Sequence, residues 1–397
     1  MKRKAISALL CATMVAAMVA GCGNKSAETA AATEAPKETT AATEAPAETE
    51  APADTTEAPA ETTEAPADDA NAGSGDYSDV TIEIVAKGFQ HDFWKAVKLG
   101  TEQAAADLGL AGTNFVGPQN ESAVAEQVEQ LNNAINKKPS AICLAALDPD
   151  SVMGALESAG VPVIGFDSGV PGASTDVVVA NAATDNYAAG ELAAENLYEL
   201  IKDQVTDPAE TVRIGVVSQD ATSQSIGERT GGFVDKMVSL IGEDKASVEG
   251  HDKYNKAVDG AKVIIEVGIP ATVDDAACVT VANTLLNKTD LVAIYGSNEF
   301  SAKNIVTANE SLQVLGANSD RKVVGVGFDA GAIQLQAIRD GILAGSITQN
   351  PVQIGYKAVE LAAKAAKGEA VEDVDTGCLW YTADNMESEE IAPCLYE

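Results

Sequence analysis

The chain has 397 residues, 60 of them acidic against 26 basic, with a formal net charge of −34. That acidity argues against nucleic acid or an anionic lipid surface as a partner, because both would repel it. Two histidines, His91 and His251, and six cysteines without paired His/Cys spacing leave no zinc-site pattern.

Residues 1–21 carry a Lys2-Arg3-Lys4 head, an apolar run over 5–20 and small residues before Cys22, which is the pattern of a secretory signal. The ending Val19-Ala20-Gly21-Cys22 resembles the lipobox of bacterial lipoproteins. That resemblance implies lipid on Cys22, a mature N-terminus there, and an extracytoplasmic protein anchored to the cell membrane. A transmembrane anchor is the alternative, but about 16 apolar residues fall short of the about 20 that a bilayer needs. Residues 22–79 are low complexity, with TEAP repeated at 33–36, 43–46, 49–52, 56–59 and 63–66. Almost free of large apolar side chains, they cannot offset ordering entropy by burial and read as a disordered acidic tether. As a flexible coil it would reach about 40 Å.

The remaining residues, roughly 315, suit two lobes better than one core. A strand over 80–86 breaks at Lys87-Gly88, and a helix starts near Asp92 with Val97, Gly100, Ala104 and Leu108 at helical spacing. At the break stand Lys87, Gln90, His91, Phe93 and Trp94. A strand over 113–116, a helix over 122–137, a strand over 140–146, a short helix capped by Asp148 and strands over 161–166 and 176–180 complete a first group. The second group begins with a helix over 186–201, a strand over 212–217 and a helix over 225–241. Residues 242–260 are polar and read as a surface excursion. Strands over 262–267, 291–295, 322–328 and 346–348 then alternate with helices over 274–287, 300–309, 332–340 and 352–367, before a tail over 371–397. Continuous apolar strands alternating with amphipathic helices imply parallel strands covered on both faces, hence an α/β protein of two doubly wound lobes. Cys143 and Cys278 fall in apolar surroundings and are expected in the core. Cys378 and Cys394 flank the tail, and an exported protein could bridge them, although spacing alone does not fix the geometry.

Polar residues recur immediately after strands: Asp167 after VPVIGF, Ser225 and Arg229 after VRIGVV, Asn298 after LVAIYGS, Asp329 after VVGVGF and Gln349 after GSIT. Taken singly, each reads as a cap or turn residue. Together, in the crevice beyond the strand ends and facing Phe93 and Trp94, they supply acceptors, donors and flat apolar faces. That set suits a neutral polyhydroxy ligand, whose hydroxyls both donate and accept and whose C–H faces pack on aromatic rings.

AKGFQHDFWKAVKLGTEQAAADLG, GFDSG, ATDNYAAGELAA, SQSIGERTGGF, GSNEFSA, GFDAG and TQNPVQIG stand in this order from about residue 80 to 376. With them the chain resembles a type I periplasmic binding protein of the ribose-binding kind. The resemblance implies two lobes joined by three crossovers near Thr184, Asn350 and Thr376: 80–183 with 350–376, and 184–349 with 377–397. It implies a monomeric receptor that takes a sugar or similar polyol, works with an ABC transporter permease, and needs no cofactor or metal. Its ligand contacts would be Lys87, His91, Phe93, Trp94, Asp167, Arg229, Asn298, Asp329 and Gln349. Lys87, Ser168, Ala145 and Val273 depart from ribose binders. Lys87 with VGPQNESAVAEQVEQLNN is similar to autoinducer-2 receptors of the same superfamily. A sensory receptor coupled to a membrane kinase is a further alternative. An enzyme on this fold is disfavoured, since no GxSxG elbow, P-loop or HExxH occurs. A transcriptional regulator is disfavoured by the tether standing where a helix-turn-helix would be.

Overall fold

The computed structural model describes residues 75–89 and 91–397. The expected signal segment, Cys22 and the tether up to residue 74 lie outside the described residues. The elements run β1 (Thr81–Val85), α1 (Phe93–Asp107), β2 (Gly112–Val116), α2 (Val124–Asn136), β3 (Ala141–Leu144), α3 (Pro149–Leu156), β4 (Val163–Phe166) and β5 (Val178–Ala183). Then come α4 (Asn186–Val205), β6 (Val212–Val217), α5 (Gln224–Ile241), β7 (Ala246–Glu249), β8 (Val263–Gly268), α6 (Asp275–Leu286) and β9 (Leu291–Gly296). The chain closes with α7 (Glu299–Leu312), β10 (Val324–Phe328), α8 (Ala332–Arg339), β11 (Leu343–Gln349), α9 (Pro351–Ala366), β12 (Val374–Asp375), β13 (Cys378–Tyr381) and a 3-10 turn (Ala392–Cys394).

Two sheets result. The first has the order β12-β5-β4-β3-β1-β2 and the second β13-β11-β10-β9-β6-β8-β7. Every pairing is parallel except β11 with β13. β3 and β4 are buried along their whole length, as strands covered by helices on both faces must be. The backbone passes between the sheets at 184–185, 350 and 376–377.

In each lobe one helix pair packs unusually closely. A Cβ on Gly100 of α1 would fall 1.9 Å from Val352 O, and one on Gly355 of α9 would fall 2.0 Å from Val97 O. The second lobe repeats the device: a Cβ on Gly190 of α4 would meet Arg229 O at 2.2 Å, and one on Gly232 of α5 would meet Tyr187 O at 2.1 Å. Reciprocal glycines let the backbones touch, so the helix carrying Arg229 is seated by contact of main chains rather than by side-chain filling.

Two expectations need correction, the excursion over 242–260 and the start of the folded part at 80. Residues 242–260 are not wholly an excursion, because Ala246–Glu249 form β7, an edge strand with Ala246 and Val248 buried. Four residues with two small apolar contacts carry too little alternation to stand out among polar neighbours. The tail is structured: β13 runs antiparallel along β11 with Ser346 opposite Tyr381, and the Tyr381 hydroxyl donates to Asp329 O at 2.9 Å. Cys378 and Cys394 are both free. Cys378 sits in the β11–β13 ladder opposite Gln349, while Cys394 O accepts from Thr348 Oγ1 at 3.0 Å. The folded part also starts before Val80, since Tyr77 is buried and donates to Glu369. Asp148 caps α3, accepting from the Asp150 and Ser151 amides.

Candidate functional site

The two GFD-x-G segments end equivalent strands in the two lobes. β4 runs into Asp167 and β10 into Asp329, with φ 58° and 69°. A left-handed backbone at a non-glycine residue costs of the order of 1–3 kcal/mol, and here it turns the chain sharply off the strand. The amides still extend the ladders, Asp167 N donating to Ala182 O at 3.1 Å and Asp329 N to Ile347 O at 2.6 Å. Each carboxylate then meets a cation of its own lobe. Lys87 Nζ lies 2.7 Å from Asp167 Oδ2, and Arg229 donates to Asp329 Oδ2 at 3.5 Å. A second Arg229 nitrogen is 4.0 Å from Asp167 Oδ1, so the pairs face each other across the gap between the lobes.

All nine residues expected at the site line one cleft. Trp94 is buried and donates from Nε1 to Glu121 at 2.8 Å, with its ring edge-on to Phe93 and Phe166. His91 lies 3.9 Å from Glu121 and 4.0 Å from Glu299, and its burial holds the imidazole below its ordinary pKa. Asn298 does two jobs: its oxygen caps α7 through Ser301 N at 3.0 Å, and its amide donates to Gln219 at 2.7 Å. Gln349, at the end of β11, donates to Asp329 Oδ1 at 2.6 Å. Val273 is not among the lining residues.

Glu121, Ser225, Ile226 and Glu299 complete the lining. Ser225 was visible as a strand-end residue. Glu121 follows β2 by the same rule, inside a motif already notable in the sequence. Glu299 is hidden by its neighbour, since an acid in the first turn of a helix is the ordinary complement to the helix dipole. Nothing marks an isoleucine. Burial, with the nearby charges of Asp329 and Asp92, pushes the Glu299 carboxyl up to about 8. Burial also raises Asp329 above the usual carboxylate range, against the opposing pull of Arg229.

Arg229 lies over Phe328, its guanidinium carbon 4.1 Å from the ring centroid, and gives Nε to Asn186 Oδ1 at 2.7 Å. That leaves guanidinium donors directed at the cleft. Glu299 Oε2 and Gln349 Oε1 are buried without a hydrogen-bond partner among the described residues. Buried polar atoms of this kind need a partner, and a hydroxyl-bearing molecule between the lobes would supply one. Among the described residues no group of three or more His, Cys, Asp or Glu could hold a metal ion. Nor is any helix among them long and apolar enough to cross a membrane.

Comparison with known proteins agrees with this geometry. Residues 82–370 match the periplasmic binding protein domain. The ribose import binding protein of Escherichia coli is 27% identical over 296 residues, covering 74% of this chain and 86% of that protein. A Brachyspira murdochii structure described as an ABC transporter, LacI family transcriptional regulator, is 36% identical with a TM-score of 0.67, covering 80% of this chain and 99% of that one. An Agrobacterium vitis ABC transporter solute binding protein with bound D-fucose is 29% identical with a TM-score of 0.68, covering 80% of this chain and all of that one (100%).

Proposed function

The chain belongs to the periplasmic binding protein family, of the ribose-binding type, and we propose that it is a lipid-anchored receptor that closes on a sugar or similar polyol and delivers it to an ABC transporter permease. Its relatives are import and solute-binding proteins, and it is a receptor rather than an enzyme. The observation that carries the ligand class is the facing of two acid–cation pairs over aromatic rings in one buried cleft. In this reading Asp167, Asp329 and Gln349 accept from ligand hydroxyls, Arg229 donates, and Phe93 and Trp94 cover the C–H faces. Asn298 and His91 hold the surrounding groups in place. The closing units are 80–183 with 350–376, and 184–349 with 377–397. Ribose and D-fucose in the relatives support the class.

A thermal-shift screen of pentoses, hexoses, 6-deoxy sugars and autoinducer-2 tests this, since a ligand that binds only the folded state raises its melting temperature. One or a few sugars should stabilise the protein. Stabilisation by amino acids or peptides, with every sugar and polyol silent, would overturn it. For the anchor, Cys22→Ala should release the protein from membranes or leave it unprocessed, whereas fractionation and migration like wild type would remove lipidation from the proposal.

A further inference from the structure

Lys87 is bonded in a way that a ligand contact is not. An ammonium has three N–H donors. Lys87 Nζ uses them on Asp167 Oδ2 at 2.7 Å, Ser223 Oγ at 3.0 Å and Ser225 Oγ at 3.0 Å. Asp167 belongs to the same lobe as Lys87, but Ser223 and Ser225 stand at the start of α5 in the other. Ser168, beside Asp167, crosses the same gap and donates to Ser225 Oγ at 2.8 Å, with Ser223 Oγ 3.5 Å away. All five residues are exposed by 3% or less.

We propose that Lys87, with Asp167 and Ser168, is a latch to Ser223 and Ser225 that holds a fraction of the receptor closed before any ligand arrives. Lys87 is then a positioning residue that does not touch the ligand. Opening keeps its ion pair with Asp167 and exchanges two serine hydroxyls for water. The latch therefore biases closure without locking it. A ligand that selects the closed state binds more tightly in proportion to the fraction already closed, so these hydroxyls set affinity from outside the ligand's own contacts. The inference rests on the closure proposed above and not on which sugar is bound.

Trp94 reports the state of the cleft, because it is 1% exposed in the closed form. The chain has two tryptophans, so Trp380→Phe leaves Trp94 as the single emitter. Acrylamide quenching of ligand-free protein in that background is the test. Losing two charge-assisted hydrogen bonds should lower the closed-to-open ratio by about tenfold or more, so Ser223→Ala/Ser225→Ala should quench markedly more than its parent. Adding D-ribose or D-fucose, whichever stabilises the protein, should protect Trp94 in both, at severalfold higher sugar in the double variant. That recovery also shows that the variant is folded. Equal ligand-free quenching of variant and parent would overturn the latch, even if affinity falls. Failure of a stabilising sugar to protect Trp94 in either protein would remove closure and the latch together, while the thermal-shift result on ligand class would stand.

Discussion

The two lobes end equivalent strands in the same five-residue pattern, GFDSG and GFDAG, and both aspartates adopt the same left-handed turn. Their surroundings differ in where the cation's other bonds go. In the second lobe Arg229 bonds Asn186 and Asp329 and packs on Phe328 within its own lobe, reaching across the gap only to Asp167 at 4.0 Å, so most of its network survives separation of the lobes. In the first, the remaining Lys87 bonds run to Ser223 and Ser225 across the gap. One motif thus serves two ends. The second lobe presents a preassembled donor–acceptor surface, and the first completes its bonding only on closure.

The largest expected effect separates these roles. Arg229→Leu removes the cation that pairs with Asp329 within one lobe, together with its Asn186 bond and Phe328 contact, and should destabilise folding by about 3–5 kcal/mol in a chemical denaturation series. Lys87→Met leaves Asp167 able to hydrate when the lobes part, and should cost clearly less. Equal losses would erase the contrast between the lobes.

Next comes a pH effect centred on Glu299 of the second lobe. The Glu299 carboxyl titrates at about 8 when folded, against an ordinary 4.5. The folded state therefore holds the proton that the unfolded chain has lost, and the stability this gives is complete below about pH 4.5 and disappears as pH rises through about 8. Glu299→Gln should flatten the fall in melting temperature between those values, gaining a few kcal/mol on wild type by pH 8. Parallel curves would mean that Glu299 is ionised in the cleft. His91, held neutral by burial, acts in the opposite sense, and its contribution falls away as pH drops below its ordinary value of 6.5.

A smaller effect sharpens the ligand assignment. Asp329→Ala removes a charged acceptor and should weaken sugar binding by more than about 1.5 kcal/mol, or roughly tenfold, in titration calorimetry. Unchanged affinity would put the ligand elsewhere. The smallest is a control outside both pairs: Asp148→Ala removes only the α3 cap and should cost about 1 kcal/mol of stability with affinity intact.

The sequence by itself determined the alternation of strands and helices, the two-lobe class and the nine residues gathered at the cleft. Apolar runs bounded by glycine and polar residues specify buried parallel strands locally, and in such sheets the strand ends converge on one crevice. Glu121 was reachable by the same rule. Other features required the folded chain. β7 and β13 are short edge strands whose pairing comes from the neighbour rather than from their own pattern, and the separation of Cys378 from Cys394 follows from that pairing. Likewise, only three-dimensional contact distinguishes Lys87, whose three donors are all engaged, from Arg229, which keeps donors facing the cleft. A residue's type sets how many hydrogen bonds it can make, whereas the atoms that tertiary packing brings within about 3 Å decide which it does make.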